Sequence, residues 1–115
     1  MRNKNKVRWY PPRKWKVKKN YTRSDKKKYH PSIVVGEKGF EFADIGVTSS
    51  RKREHHVNEE LHFPQKNGKP SYLRDDVQFT NKSKLTDDAD LKLHDSDIPK
   101  VLKIIEKFKK KCGKH

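Results

Sequence analysis

The chain has 115 residues, 30% hydrophobic and 39% charged, and its 30 Lys and Arg against 15 Asp and Glu give a formal net charge of +15. That length leaves room for one small domain, and so little apolar material requires a compact core built from a few well-patterned segments, with part of the chain not folding alone. No run of about 18 apolar residues suits a membrane span, and the basic N-terminus lacks the apolar stretch of a secretory signal, so a cytoplasmic protein without membrane contact is expected. The single cysteine, Cys112, excludes a disulfide within one chain and a cysteine-based zinc site.

The charge is uneven. Residues 1 to 30 hold 13 basic residues and one acid, a net +12, whereas the other 85 hold 17 and 14, a net +3. Residues 1–29 are therefore expected to form a basic arm on a near-balanced domain spanning 30–115, an asymmetry suited to a polyanion such as nucleic acid. Trp9, Tyr10, Trp15, Tyr21 and Tyr29 stand among these cations. Rings that stack on bases beside cations that meet phosphates suit a single strand, which makes Trp9, Lys14, Trp15 and Lys16 candidate nucleic-acid contacts. The plainer alternative is a solvated tail whose tryptophans cover the edge of the core.

From Ser32 the pattern changes. The β-branched run "SIVV", the turn-forming "GEKG" and the resumed "FEFADIGVT" predict a hairpin, with Ala43, Asp44 and Gly46 marking a bulge or a close backbone approach. "RKREHHVNEELHFPQKNGKP" reads as a polar loop with a short strand around Val57 to Phe63 and a turn at Asn67-Gly68. Residues 71 to 80, "SYLRDDVQFT", predict another strand, interrupted at Asp75-Asp76, with Tyr72, Leu73, Val77 and Phe79 facing inward.

After a polar connector the period becomes helical. Ile98, Val101, Leu102, Ile105 and Phe108 form one apolar stripe of a helix over 96–112, with Asp95, Ser96 or Asp97 as cap, Pro99 in the first turn, and lysines and Gly113 at the end. Several short strands and one amphipathic helix predict a mainly β, α+β fold: a small, strongly bent antiparallel sheet or barrel closed by the helix. So small a core also favours a homodimer.

"HPSIVV", a turn, a strand ending "IGVTSS", a polar loop, "PSYLRDDVQF" and then "LKLHDSDIPKVLKIIEKF" resemble, over residues 30 to about 110, the MazF/PemK toxin family. There an Arg-Pro pair opens a hydrophobic strand and a later strand ends in Ile-Thr. The resemblance implies an SH3-like barrel, usually homodimeric, that cuts single-stranded RNA without a metal or other cofactor and is inhibited by an antitoxin. It carries the two family positions onto His30, before Pro31, and Thr48. His30 replaces the family arginine, and the family's opening strand is missing or replaced by the basic arm.

Metal-free RNA cleavage needs a group to take the 2′-hydroxyl proton, a group to protonate the leaving oxygen, and donors or fixed charge at the phosphate. Histidine suits either proton step near neutral pH. Thr48 can donate to a phosphate oxygen, with Ser49, Arg51, Lys52, Arg53 and Arg74 as candidate phosphate contacts. Each has a plainer reading: His30 as a surface residue, Thr48 as a strand-end hydroxyl, the cationic run as a solvated loop.

Metal sites are not expected. His55 and His56 would point to opposite faces of a strand, with no suitably spaced third ligand beyond His62. Asp87, Asp88 and Asp90 lack the glycine and glutamate of a calcium loop. The expectation is a toxin-like endoribonuclease acting through His30 and Thr48. The alternatives are a non-catalytic nucleic-acid-binding module on the same barrel, and a small phage or mobile-element protein that binds a host complex.

Overall fold

A computed structural model describes residues 6–21, 29–53, 56–62 and 70–112. Its strands, in chain order, are β1 (Arg8–Trp9), β2 (Lys16–Asn20), β3 (His30–Lys38), β4 (Glu41–Thr48), β5 (Lys52–Arg53), β6 (His56–Val57), β7 (Glu59–Glu60), β8 (Tyr72–Leu73), β9 (Gln78–Asn81) and β10 (Asp87–Asp88); helix α1 is Ile98–Cys112. Among the described residues eight strands make one antiparallel sheet in the order β10-β2-β3-β4-β8-β7, with β1 also on β3 and β9 also on β4; β5 and β6 pair separately. The mainly β architecture with a C-terminal helix is as expected.

The β3–β4 hairpin is the centre of the sheet. Its turn is shorter than "GEKG", because Gly36, Glu37 and Lys38 remain in β3 and only Gly39 and Phe40 turn. Gly36 serves a different purpose from the turn. A β-carbon there would stand 2.7 Å from the Arg8 carbonyl oxygen, so glycine lets β1 lie against β3. The bulge expected in β4 at Ala43, Asp44 and Gly46 lies in β3 instead: the register shifts between Val34 and Gly36, which leaves Val35 as the extra residue opposite the Asp44–Ala43 step.

The segment expected to be a basic arm is built into the sheet. Lys16–Asn20 pairs with His30–Val34 on one side and with β10 on the other. Alternation explains how so charged a strand folds: Lys16 is exposed, Val17 buried, and Trp15 just before it is also buried in the core. The remaining arm residues, 1–5 and 22–28, lie outside the described residues.

Residues 71–80 divide at Asp75-Asp76 into β8 and β9, with Leu73 and Val77 buried and Tyr72 and Phe79 half-buried. Of the expected strand near Val57, only β6 and β7 form; Phe63 and the Asn67-Gly68 turn lie outside the described residues.

A short 3-10 turn, Asp95–Asp97, precedes α1, and the His94 side chain accepts from the Ser96 backbone N–H as its cap. Val101, Ile104 and Ile105 are buried, with Ile98 and Phe108 half-buried. Leu102, expected in the stripe, is 40% exposed and Ile104 takes its place. The reason is angular: 101, 104, 105 and 108 follow the i, i+3, i+4, i+7 pattern, and 102 stands one step round the helix. Phe108 lies edge-on between Trp9 and Phe79, at 5.9 and 5.8 Å between ring centres. Gly113 lies outside the described residues. Among the described residues no helix is long and apolar enough to cross a membrane.

Candidate nucleic-acid interface

The helix and apolar core occupy one face of the sheet: Val17, Ile33 and Ile45 are aligned across β2, β3 and β4 and all belong to the core. The residues between them face the other way. Lys18 pairs with Ser32 and Ser32 with Gly46; Lys16 pairs with Val34 and Val34 with Asp44. Buried Val34 belongs to this second face and not to the core.

His30 and Thr48 stand two residues beyond the Ser32 and Gly46 pair, His30 at the exposed start of β3 and Thr48 at the buried end of β4. Alternation therefore puts both on the second face, at the same end of the ladder. His30 pairs across the sheet with Asn20, and Thr48 with Tyr72. Arg74 joins them: its backbone N–H donates to the Gly46 carbonyl at 3.0 Å, and its half-buried side chain crosses the place where a Gly46 β-carbon would be.

The end of β4 also shows why a strand closes in threonine and serines. Thr48 Oγ1 accepts the Ser50 backbone N–H at 3.1 Å, a side-chain turn that ends the extended run. Buried Asn58 pins the exit, donating through its side chain to the Ser50 carbonyl and through its backbone to that of Arg51. Ser49 and Arg51 are exposed; Lys52 and Arg53 enter β5 as backbone, and their side chains lie outside the described residues.

A polar network lies beneath this face. Asn20 Nδ2 donates to Ser32 Oγ at 3.2 Å, and Gln78 Nε2 to Asp44 Oδ2 at 2.8 Å. Asp44 is fully buried, and its Oδ1 has no hydrogen-bond partner among the described residues. Burial pushes its carboxyl above the ordinary aspartate value, with Gln78, Thr80 and Ser32 pulling the other way.

Beyond Lys16 and Lys18 the face opens into a cavity of about 380 Å³ lined by Tyr10, Arg13, Lys14, Lys16, Lys18, Val34 and Phe42. Lys14 and Lys16, both expected as nucleic-acid contacts, meet here. The expected tryptophans do not. Trp15 is buried, its Nε1 donating to the Tyr10 carbonyl at 3.0 Å, because it anchors β2 to the core. Trp9 is half-buried against Phe108, with the Lys109 ammonium 5.4 Å from its ring centre. Tyr10, Arg13, Lys18 and Phe42 complete the cavity; the alternation of β2 is the signal that could have identified Lys18.

His62, one of the histidines weighed for a metal, meets Asp97, one of the expected helix caps. Asp97 is fully buried and accepts from the His62 backbone N–H at 2.8 Å and from Lys100 Nζ at 3.0 Å, with His62 Nδ1 at 2.6 Å. Burial would raise its carboxyl, but these partners outweigh burial and hold it below the ordinary value. His55 lies outside the described residues. Comparison with protein-family models, with curated proteins and with solved structures finds no match.

Proposed function

We propose that the chain binds single-stranded nucleic acid, RNA in the first instance, on the helix-free face of its sheet. The observation that carries this reading is the alternation that sets Lys16 and Lys18 on the same face as His30, Thr48 and Arg74 while the core takes the other. A strip of cations with half-buried rings at its end suits phosphates and unstacked bases. The net charge of +15 adds a long-range attraction for any polyanion.

The test is the salt dependence of affinity for a labelled RNA 12-mer, measured by fluorescence anisotropy. Affinity should fall steeply with salt, and Lys16→Gln and Arg74→Gln should each lower the log–log slope by about 0.7, the value for one phosphate contact on a single strand. A flat salt response, or variants that bind like the parent, would refute the assignment.

A second reading, cleavage of the bound RNA, is favoured by the placement of His30 and Thr48 on one face at one end of the β3–β4 ladder. His30 would take the 2′-hydroxyl proton as that oxygen bonds to phosphorus, and the Thr48 hydroxyl would donate to a phosphate oxygen. The leaving 5′-oxygen would be protonated by the imidazolium so formed or by water. Its check is RNA digestion in excess chelator: cleavage by the parent chain, lost in His30→Ala with binding retained, supports it, and intact RNA removes it.

A further inference from the structure

We propose that the cavity between β2 and the Pro12–Lys14 turn is a nucleotide pocket, taking one base against Tyr10 and Phe42 and its phosphate among Arg13, Lys14 and Lys16. The occupant is taken to be one unit of a strand lying on the neighbouring face, so the assignment rests on the nucleic-acid reading.

Charge is the first argument. Among the described residues four cations line the cavity and no carboxylate does. Lys18 is tied to Asp88 at 3.1 Å and Lys16 also stands near that carboxylate, but Arg13 and Lys14 have no salt-bridge partner among the described residues. Two unpaired cations held beside two further ammonium groups at one concave place repel one another, and an anion removes that repulsion. A second cavity of about 340 Å³, near Trp15, makes the contrast, since Asp88 and Asp90 stand there beside Lys16 and Lys92. Its charge is already balanced.

The apolar wall is the second argument. Val34 and Phe42 face this cavity and not the core, and Tyr10, which also packs against the core, joins them at its wall. Both rings are held in place: the Tyr10 hydroxyl bonds Glu37, and the Phe42 ring carries the Lys82 ammonium at 5.3 Å. Glu37 is in turn fixed by Lys82 at 2.6 Å. A sulfate-like ion needs the cations alone; rings fixed beside them suit an anion that also carries a planar group. The volume is at the small end of the roughly 300 to 1,000 Å³ that ligand pockets occupy, which suits one nucleotide better than a longer fragment.

The backbone supplies the third. Pro11 and Pro12 start the 3-10 turn, and Lys14 and Trp15 backbone N–H groups close it onto the carbonyls of Pro11 and Pro12. Trp15 then anchors the turn in the core. Arg13 and Lys14 therefore project from a fixed backbone, so less ordering entropy opposes binding than on a loose tail.

The experiment is calorimetric titration of the full chain with AMP, adenosine and inorganic phosphate, alongside competition between AMP and the RNA 12-mer. AMP should bind at least about tenfold more tightly than either fragment, since it uses both walls. Arg13→Gln with Lys14→Gln should weaken AMP and phosphate together. Phe42→Leu, which keeps an apolar side chain in the sheet, should weaken AMP about fivefold or more and leave phosphate unchanged. AMP bound no better than phosphate, or bound equally by the variants, overturns the pocket. AMP bound as expected but not displaced by the 12-mer upholds the nucleotide pocket as a site for a free nucleotide and overturns its link to a strand. A 12-mer that binds independently of Arg13 and Lys14 but depends on Arg74 leaves the face assignment standing and overturns the pocket.

Discussion

The Arg74 side chain lies across Gly46, so closely that a β-carbon on residue 46 would stand 2.9 Å from Arg74 Cδ. The glycine thus leaves space that the arginine stem fills, on the face that also carries His30 and Thr48. Gly46→Ala should displace the arginine while the rest of the β3–β4 ladder stays intact. The expected outcome is a loss of RNA affinity close to that of Arg74→Gln, with an unfolding midpoint within about 1 kcal/mol of the parent. Equal affinity in the Ala variant would separate Arg74 from the interface.

Asp44 carries a buried carboxyl whose titration is raised by burial. A raised acid favours the folded state most while protonated, below the unfolded value of about 3.9. That contribution is lost as pH rises through the folded value, so neutral pH leaves a charge or a displaced proton to accommodate. Asp44→Asn keeps the acceptor for Gln78 and removes the charge. Its Tm at pH 7 should rise by about 4 to 8 °C for each kcal/mol gained, and its advantage should vanish in acid.

Asp97 works in the opposite sense. Its carboxyl, held low against burial by His62 and Lys100, stabilises the fold above the unfolded value of about 4, and that contribution disappears as pH falls through the lower folded value. Asp97→Ala also strands the His62 backbone N–H. Urea unfolding at pH 7 should show a loss on the order of 3 kcal/mol, shrinking toward acid pH.

Trp15 is 9% exposed within a segment dense in lysine. Trp15→Ala should cost about 3 to 5 kcal/mol, whereas Lys14→Gln should leave the thermal transition unchanged. Deleting residues 1–28 removes β1, β2 and this side chain together, so circular dichroism should record loss of the cooperative transition and not a lighter, intact domain.

The β3–β4 hairpin and α1 were legible because their apolar residues recur at periods of about 2 and 3.6, a signal that survives without knowledge of neighbours. The second strand was not. In "KWKVKKN" the buried residues are only Trp15 and Val17, on the core side, and Asn20, on the other face, and lysines between them read as a solvated tail. The Asp44, Gln78 and Thr80 network depends on which residues of β4 and β9 stand opposite, and register is a tertiary property. The cavity was half legible: Lys14 and Lys16 stand out by charge, while the side of the sheet that Phe42 occupies depends on the register of β3 and β4.

Lys16, Val17 and Lys18 divide two tasks between the sides of one ribbon. Their spacing is consequently less tolerant than their chemistry. Exchanging Lys16 alters what the outer side attracts, and exchanging Lys18 also removes a surface ion pair with Asp88, but one residue added between Trp15 and Asn20 would turn ammonium groups toward Ile33 and push the valine into water. Length in this short stretch is thus constrained more tightly than composition, even though by composition it looks like the most disposable part of the chain.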